Sequence, residues 1–371
     1  MTATLASALD AAYDKAAAGT RLSVEDAVLL LGQGDVLTLG SLANAARQRH
    51  NPGNVVTYIV DRNVNYTNVC VTYCSFCAFY RPPGHEEGYV QTFEQVAARL
   101  EELRAQDGRQ VLLQGGHHPD LPIAWYEGML RSIKARFPEI NIHGFSPPEI
   151  THFAELWKLP MAEIVARFKA AGLRSIPGGG GEILVDRVRK IIAPMKATSD
   201  EWLAVMGEAH RQGLTSSATM MYGHVETLAE RVAHLDRVRR QQDETKGFTA
   251  FICWSYQNPN TNLLRKVKDP AGAYDYLRTV AVARLFLDNV RHVQSSWVTQ
   301  GPKIGQLALD FGCDDMGGTM MEENVVSAAG TTYQLPPDEM ERTIREAGYE
   351  PRRRTTFYEV LPPVTVPGAR T

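Results

Sequence analysis

The chain has 371 residues, 44% hydrophobic and 22% charged, a balance that supports a sizeable core and excludes a disordered chain. Its 39 Lys and Arg against 42 Asp and Glu leave a net charge of −3, which gives no electrostatic reason to expect nucleic acid or an anionic membrane as partner. No apolar run reaches the length of about 18 residues that a membrane span needs, and the N-terminus lacks a basic start followed by an apolar stretch. The expected compartment is therefore the cytoplasm.

Residues 1–50 read as a helical N-terminal extension, rich in Ala and Leu, with Ser23 and Asp26 marking one helix start. From there short apolar runs alternate with helix-period segments. Strands are expected at 55–60, 110–113, 141–145, 174–176, 215–221, 248–254, 291–297 and, most weakly patterned, 311–313. Thr92-Phe93-Glu94-Gln95 and Thr198-Ser199-Asp200-Glu201 have capping-box spacing, and the helices over 161–171 and after Thr198 stop at Gly172 and Gly213. Longer helices are expected over 225–242 and 271–289.

Eight strands, each followed by helical sequence, predict an α/β fold with parallel strands. The simplest arrangement is a closed (β/α)8 barrel of TIM type over residues 51–330, with an open doubly wound sheet as the competing arrangement. Residues 331–371 read as a short C-terminal extension packing on the barrel. It holds one helix over 337–347 and the run Arg352-Arg353-Arg354, expected as a solvated face.

Five cysteines, an odd number, do not form a disulfide framework, and three of them crowd into Cys70-x3-Cys74-x2-Cys77 directly after the first strand. A structural zinc site needs four ligands, and no fourth lies close: Cys253 and Cys313 sit singly in apolar strand sequence. Three thiolates in a loop suit a four-iron cluster with one iron left open for a ligand or substrate.

This C-x3-C-x-Phe-C pattern, with Phe76 before the third cysteine, resembles that of the radical S-adenosylmethionine (SAM) enzymes. The resemblance implies a 4Fe-4S cluster on Cys70, Cys74 and Cys77. It also implies SAM on the open iron, split after one-electron reduction into methionine and a 5′-deoxyadenosyl radical. A (β/α) barrel, the family's fold, agrees with the independent strand count.

Chemistry in such a barrel gathers at the C-terminal ends of the strands. There the resemblance implies SAM binding by Phe76, Tyr80, Gln114, Gly115, Gly116, Ser146 and Glu149. Glu182, His224 and Asp315 each follow a different predicted strand and are the candidate proton acceptors, Glu182 first.

The stretches 61–70, 77–81, 143–149 and 315–325 are similar to those of a branch that joins carbon skeletons in menaquinone and deazaflavin biosynthesis, and most of all to its dehypoxanthine futalosine cyclases. In the segment Trp254-Ser255-Tyr256-Gln257-Asn258-Pro259-Asn260-Thr261 the branch pattern is kept at Trp254, Gln257, Asn260 and Thr261 and departs between. The similarity implies dehypoxanthine futalosine as substrate and an electron donor such as flavodoxin or ferredoxin. The alternatives are a sister reaction, as in deazaflavin (FO) synthase or aminofutalosine synthase, and a non-catalytic iron–sulfur electron carrier.

Overall fold

The computed structural model describes residues 2–362. Ten strands form one sheet in which every pairing is parallel: β1 (Val55–Ile59), β2 (Asp61–Asn65), β3 (Gln110–Gln114), β4 (Asn141–Gly144), β5 (Ser175–Ile176), β6 (Thr215–Tyr222), β7 (Phe248–Ser255), β8 (His292–Gln294), β9 (Asp315–Gly318) and β10 (Glu350–Arg353). Only Val60 separates β1 from β2, so residues 55–65 are one continuous stretch. Its first half pairs with β9 and β10, and its second half pairs with β3. The sheet therefore curls until both ends meet on the same segment. Each parallel connection needs a crossover, and helices such as Phe93–Ala105, Ile123–Arg136 and Leu228–Thr245 supply them.

The helix starts expected from sequence are built as expected. Thr92 with Gln95 and Thr198 with Glu201 form reciprocal caps, and Ser23 with Asp26 forms a third. Helices Thr2–Ala18, Val24–Gln33 and Val36–His50 precede the sheet. Leu30, Leu39 and Ala43 of the last two are fully buried, and Val36–His50 packs on Ala273–Phe286.

Two features depart from the sequence reading. Residues 308–311 form a 3-10 turn, and the eighth barrel strand is β9, which begins at Asp315. Cys313 is buried in the core ahead of that strand. Asp314 and Asp315 therefore stand at the start of the strand, away from the end where the cysteine loop leaves β2. Burial of both carboxylates is tolerated because each meets a buried guanidinium: Asp314 pairs with Arg284, and Asp315 takes two bonds from Arg354, at 2.5 and 2.9 Å. The run Arg352–Arg354 is consequently not a solvated face: β10 adds to β1, and Arg354 is 3% exposed. The chain then continues inward. Thr356 Oγ1 donates to Gln110 Oε1 at 2.8 Å, and Tyr358 stacks on His292 with ring centroids 3.7 Å apart. This segment closes the floor of the barrel.

Candidate active site

A cavity of about 410 Å³ opens above that floor. Its wall follows from strand alternation: every second residue of a strand faces the same side. Ile59, Asp61, Asn63 and Asn65 line it from the first stretch, Gln110, Leu112 and Gln114 from β3, and Ser217 and Thr219 from β6. Polar side chains set among apolar ones on the inner wall are the usual lining of a ligand site.

The cysteine loop roofs one side. Cys70, Cys74 and Cys77 all line the cavity. The loop is held at three points by backbone bonds: Cys70 N–H to Arg81 carbonyl at 2.9 Å, Cys77 N–H to Cys74 carbonyl at 3.1 Å, and Ser75 N–H to Ile192 carbonyl at 2.8 Å. Burial pushes the Cys74 thiol up to about 12, against the lowering charge of Lys196, and burial also raises Cys77. Cys253 and Cys313 are fully buried and do not line the cavity.

All seven residues expected around SAM line the same cavity. The Gly115-Gly116 turn passes directly under the cysteine loop. A Cβ on Gly116 would lie 2.2 Å from the Val69 carbonyl oxygen, and one on Gly115 would lie 2.5 Å from the Tyr66 ring. Only glycine fits there.

Glu149, 1% exposed, accepts from Ser146 N–H and Ser146 hydroxyl, both at 2.7 Å, from Tyr66 hydroxyl at 2.6 Å and from Gly115 N–H at 3.1 Å. A carboxylate offers about four acceptor sites, and these four donors use them. Burial raises its pKa against those donors. Glu149 thus clamps the glycine turn and Tyr66 onto the start of helix Pro147–Trp157.

The three candidate proton acceptors separate. Glu182 lines the cavity, 5% exposed, with Lys196 Nζ at 2.8 Å and Arg189 at 3.4 Å. Burial would raise it, but the two cations outweigh burial and hold it below the ordinary carboxylate range. His224 does not reach the cavity: its side chain is fully buried, with Nε2 3.0 Å from the Met221 carbonyl and Nδ1 accepting from Val225 N–H at 2.7 Å. Asp315 is fully buried in its pair with Arg354 and does not line the cavity either.

Lys196 and Asp61 are among the cavity residues that sequence reasoning missed. Lys196 sits beside Glu182 with Nζ 5.2 Å from the Phe76 ring centroid. No motif surrounds it. Asp61 accepts from Met320 N–H at 2.8 Å and Gln110 Nε2 at 3.0 Å, and burial lifts it to about 6 against those bonds. Its signal was present: extending the first strand by alternation through Asn65 places Asp61, Asn63 and Asn65 on one face.

The profile of the radical SAM superfamily matches residues 64–238, and a profile described as the CofH/MqnC C-terminal region matches residues 245–366. Cyclic dehypoxanthine futalosine synthase of Halalkalibacterium halodurans is 46% identical over 95% of this chain and 95% of its own length. The chain belongs to the radical SAM enzymes. The protein of the same name from Streptomyces coelicolor is 44% identical over 94% of this chain and 88% of its own. Aminodeoxyfutalosine synthase of Thermus thermophilus is 40% identical over 93% and 94%. Among solved structures, the hydrogenase maturase HydG superposes with a TM-score of 0.74 at 17% identity over 93% of this chain and 76% of that one. Methylornithine synthase superposes at 0.72 and 16% over 92% and 97%, and both show the fold.

Radical SAM enzymes use a 4Fe-4S cluster and SAM. The cavity fits both. The three thiols Cys70, Cys74 and Cys77 line one cavity, while Cys253 and Cys313 do not reach it. A four-iron cluster takes one thiolate on each of its irons, and a loop offering three soft ligands to one cavity suits it. For SAM the cavity supplies aromatic faces, a glycine turn and the cation Lys196.

Proposed function

We propose that this radical SAM enzyme is a cyclase that converts dehypoxanthine futalosine to its cyclic form in menaquinone biosynthesis. The observation carrying this reading is the end-to-end 46% and 44% identity to two cyclic dehypoxanthine futalosine synthases. When bound, the cluster and SAM supply the 5′-deoxyadenosyl radical that takes hydrogen from ribose C4′. The C4′ radical would then close on the benzoate ring of the same molecule, and rearomatisation would release one proton to a base of the cavity and return one electron to the oxidised cluster.

Cys70, Cys74 and Cys77 hold the cluster in this proposal. Phe76 and Tyr80 border SAM near it, and Gln114, Gly115 and Gly116 line its amino group. Ser146 borders its ribose, while Glu149 acts through the turn it clamps. Lys196 meets the SAM carboxylate, because its Nζ is the cavity cation beside the cysteine loop. The ring proton goes to Asp61: a base works best when its pKa lies near the working pH, and Asp61 at about 6 is closer than Glu182, which two cations keep acidic. The enclosing floor of Arg354, Thr356 and Tyr358 limits access of solvent and of oxygen, which would trap a carbon radical.

A sister reaction is the second reading, favoured by 40% identity to aminodeoxyfutalosine synthase. Offering the reduced, reconstituted enzyme each branch substrate separately decides between them. Consumption of dehypoxanthine futalosine alone, with no second organic substrate and a product two hydrogens lighter, supports the cyclase. Consumption of an enolpyruvyl ether with the adenosyl group retained in the product rejects it.

A further inference from the structure

Two polar side chains on one wall of the cavity have no part in holding the cluster or SAM: Asn63 and His143. Register fixes their relation. Asn63 of β2 pairs with Leu112 of β3, and Leu112 pairs with His143 of β4. All three line the cavity. Two strand spacings separate Asn63 from His143, about 10 Å between backbones, with the apolar Leu112 between them. His143 precedes Ser146 on a strand that runs toward the cavity mouth, so this row lies just beneath the SAM end.

Hydrogen-bond accounting fixes what His143 offers. Its Nδ1 lies 2.8 Å from Ser175 Oγ, a hydroxyl that already accepts from Asn141 Nδ2 at 3.0 Å. Among the described residues Ser175 Oγ has no other partner, so its own hydrogen goes to Nδ1. Burial, and then the charge of Arg354, depress the imidazole to about 3, which keeps it neutral near pH 7. A neutral imidazole that accepts at Nδ1 carries its proton on Nε2. Among the described residues that N–H has no partner. Asn63, 5% exposed, adds a second unpaired group: its amide Oδ1 meets no donor.

The field here favours an anion. Arg354 lines the floor of the same cavity, and three of its five N–H groups are used, two on Asp315 and one on the Thr355 carbonyl. Its charge reaches His143, and no carboxylate counters it there. Asp61, the acid on the inner face of β2, is turned to Gln110 and to Met320 N–H. The other cavity cation, Lys196, is paired with Glu182.

We propose that His143 Nε2–H and the Asn63 amide hold the carboxylate of the substrate's benzoate group, with Leu112 against the ring. That carboxylate is the one anionic group of dehypoxanthine futalosine, and the inference rests on the cyclase reading. His143 and Asn63 then determine which ring enters and how it lies. Neither exchanges a proton with it.

The test is binding. Affinity for dehypoxanthine futalosine, and for the same molecule without its carboxylate, is measured by calorimetry on the reconstituted protein with SAM. The cluster is left oxidised so that no turnover occurs. Parent, His143→Gln and His143→Asn are compared. A glutamine amide reaches the Nε2 position, whereas an asparagine amide reaches only Nδ1 and can keep the Ser175 bond. A hydrogen bond to a charged group is worth about tenfold or more in affinity.

We expect the parent to prefer the carboxylate by at least about tenfold and His143→Gln to keep most of that preference. His143→Asn should lose it while binding the analogue as the parent does. An unchanged preference in His143→Asn would overturn the subsite. So would an equal loss for both ligands, which would make His143 structural, and so would a parent that binds the two ligands equally. A parent that binds neither ligand and, once reduced, consumes no dehypoxanthine futalosine would instead refute the cyclase reading, and the subsite with it.

Discussion

Replacing Glu149 with Ala tests whether this carboxylate is structural wiring or a ligand contact. Its four hydrogen bonds come from Tyr66 hydroxyl, Gly115 N–H, Ser146 N–H and Ser146 hydroxyl, all in a site where the side chain is 1% exposed. The Ser146 hydroxyl can turn to another acceptor. The two backbone donors and the Tyr66 hydroxyl cannot follow without moving the turn. Leaving a buried donor unmet costs about 1–3 kcal/mol, so three of them give a loss of about 3–9 kcal/mol. That is a large part of a typical total of about 5–15 kcal/mol. The loss is read as a shift of the denaturant midpoint at constant slope, with iron content and SAM affinity measured on the folded fraction. We expect a strong loss of stability together with weaker SAM binding, because the Gly115-Gly116 turn loosens. A variant as stable as the parent that had lost only SAM binding would refute the clamp and make Glu149 a direct ligand contact.

Changing Cys70, Cys74 or Cys77 to Ala should abolish the visible absorbance of the reconstituted protein and its SAM cleavage, while Cys253→Ala should keep both and lose only stability. Loss of the cluster in Cys253→Ala would defeat the three-ligand assignment. Lys196→Met leaves Glu182 with Arg189 alone; breaking a buried pair costs about 3–5 kcal/mol, and SAM affinity should fall at least tenfold, with partial rescue by Lys196→Arg. Equal SAM affinity in Lys196→Met would remove it from the site. Asp61 is raised to about 6 by burial, so its protonated form is the one the fold favours. Its contribution is full below the unfolded value near 4 and is lost as pH rises through about 6, an effect of up to about 3 kcal/mol. Asp61→Asn should flatten that part of the stability curve and stall turnover after hydrogen abstraction, whereas Glu182→Gln should still reach product. The reverse pattern would return the proton to Glu182.

The barrel was legible because its strands repeat at regular intervals between helices with strong local caps, and the cap residues act within three positions of one another. The cluster loop was legible because its chemistry is also local, three thiols within eight positions. What stayed hidden was long-range. The pairing of Asp315 with Arg354 is an event between residues 39 positions apart, and without it Asp315 reads as a strand-end carboxylate and Arg354 as a surface cation. His224 is a local case: its spacing after β6 suggests the mouth, but its ring turns onto the Met221 carbonyl, Val225 N–H and the Glu226 carboxylate of its own turn. Lys196 gains meaning only from its direct pair with Glu182, 14 positions away. Asp61 is the exception, a residue that period-two alternation could have placed had the first strand been extended past Val60.

The most direct test of the cyclase reading follows one hydrogen atom. The reduced enzyme is incubated anaerobically with SAM and dehypoxanthine futalosine deuterated at ribose C4′, and 5′-deoxyadenosine is analysed by mass spectrometry. The account predicts monodeuterated 5′-deoxyadenosine formed in step with the cyclic product. Unlabelled 5′-deoxyadenosine, or adenosyl carbon carried into the product, would contradict it.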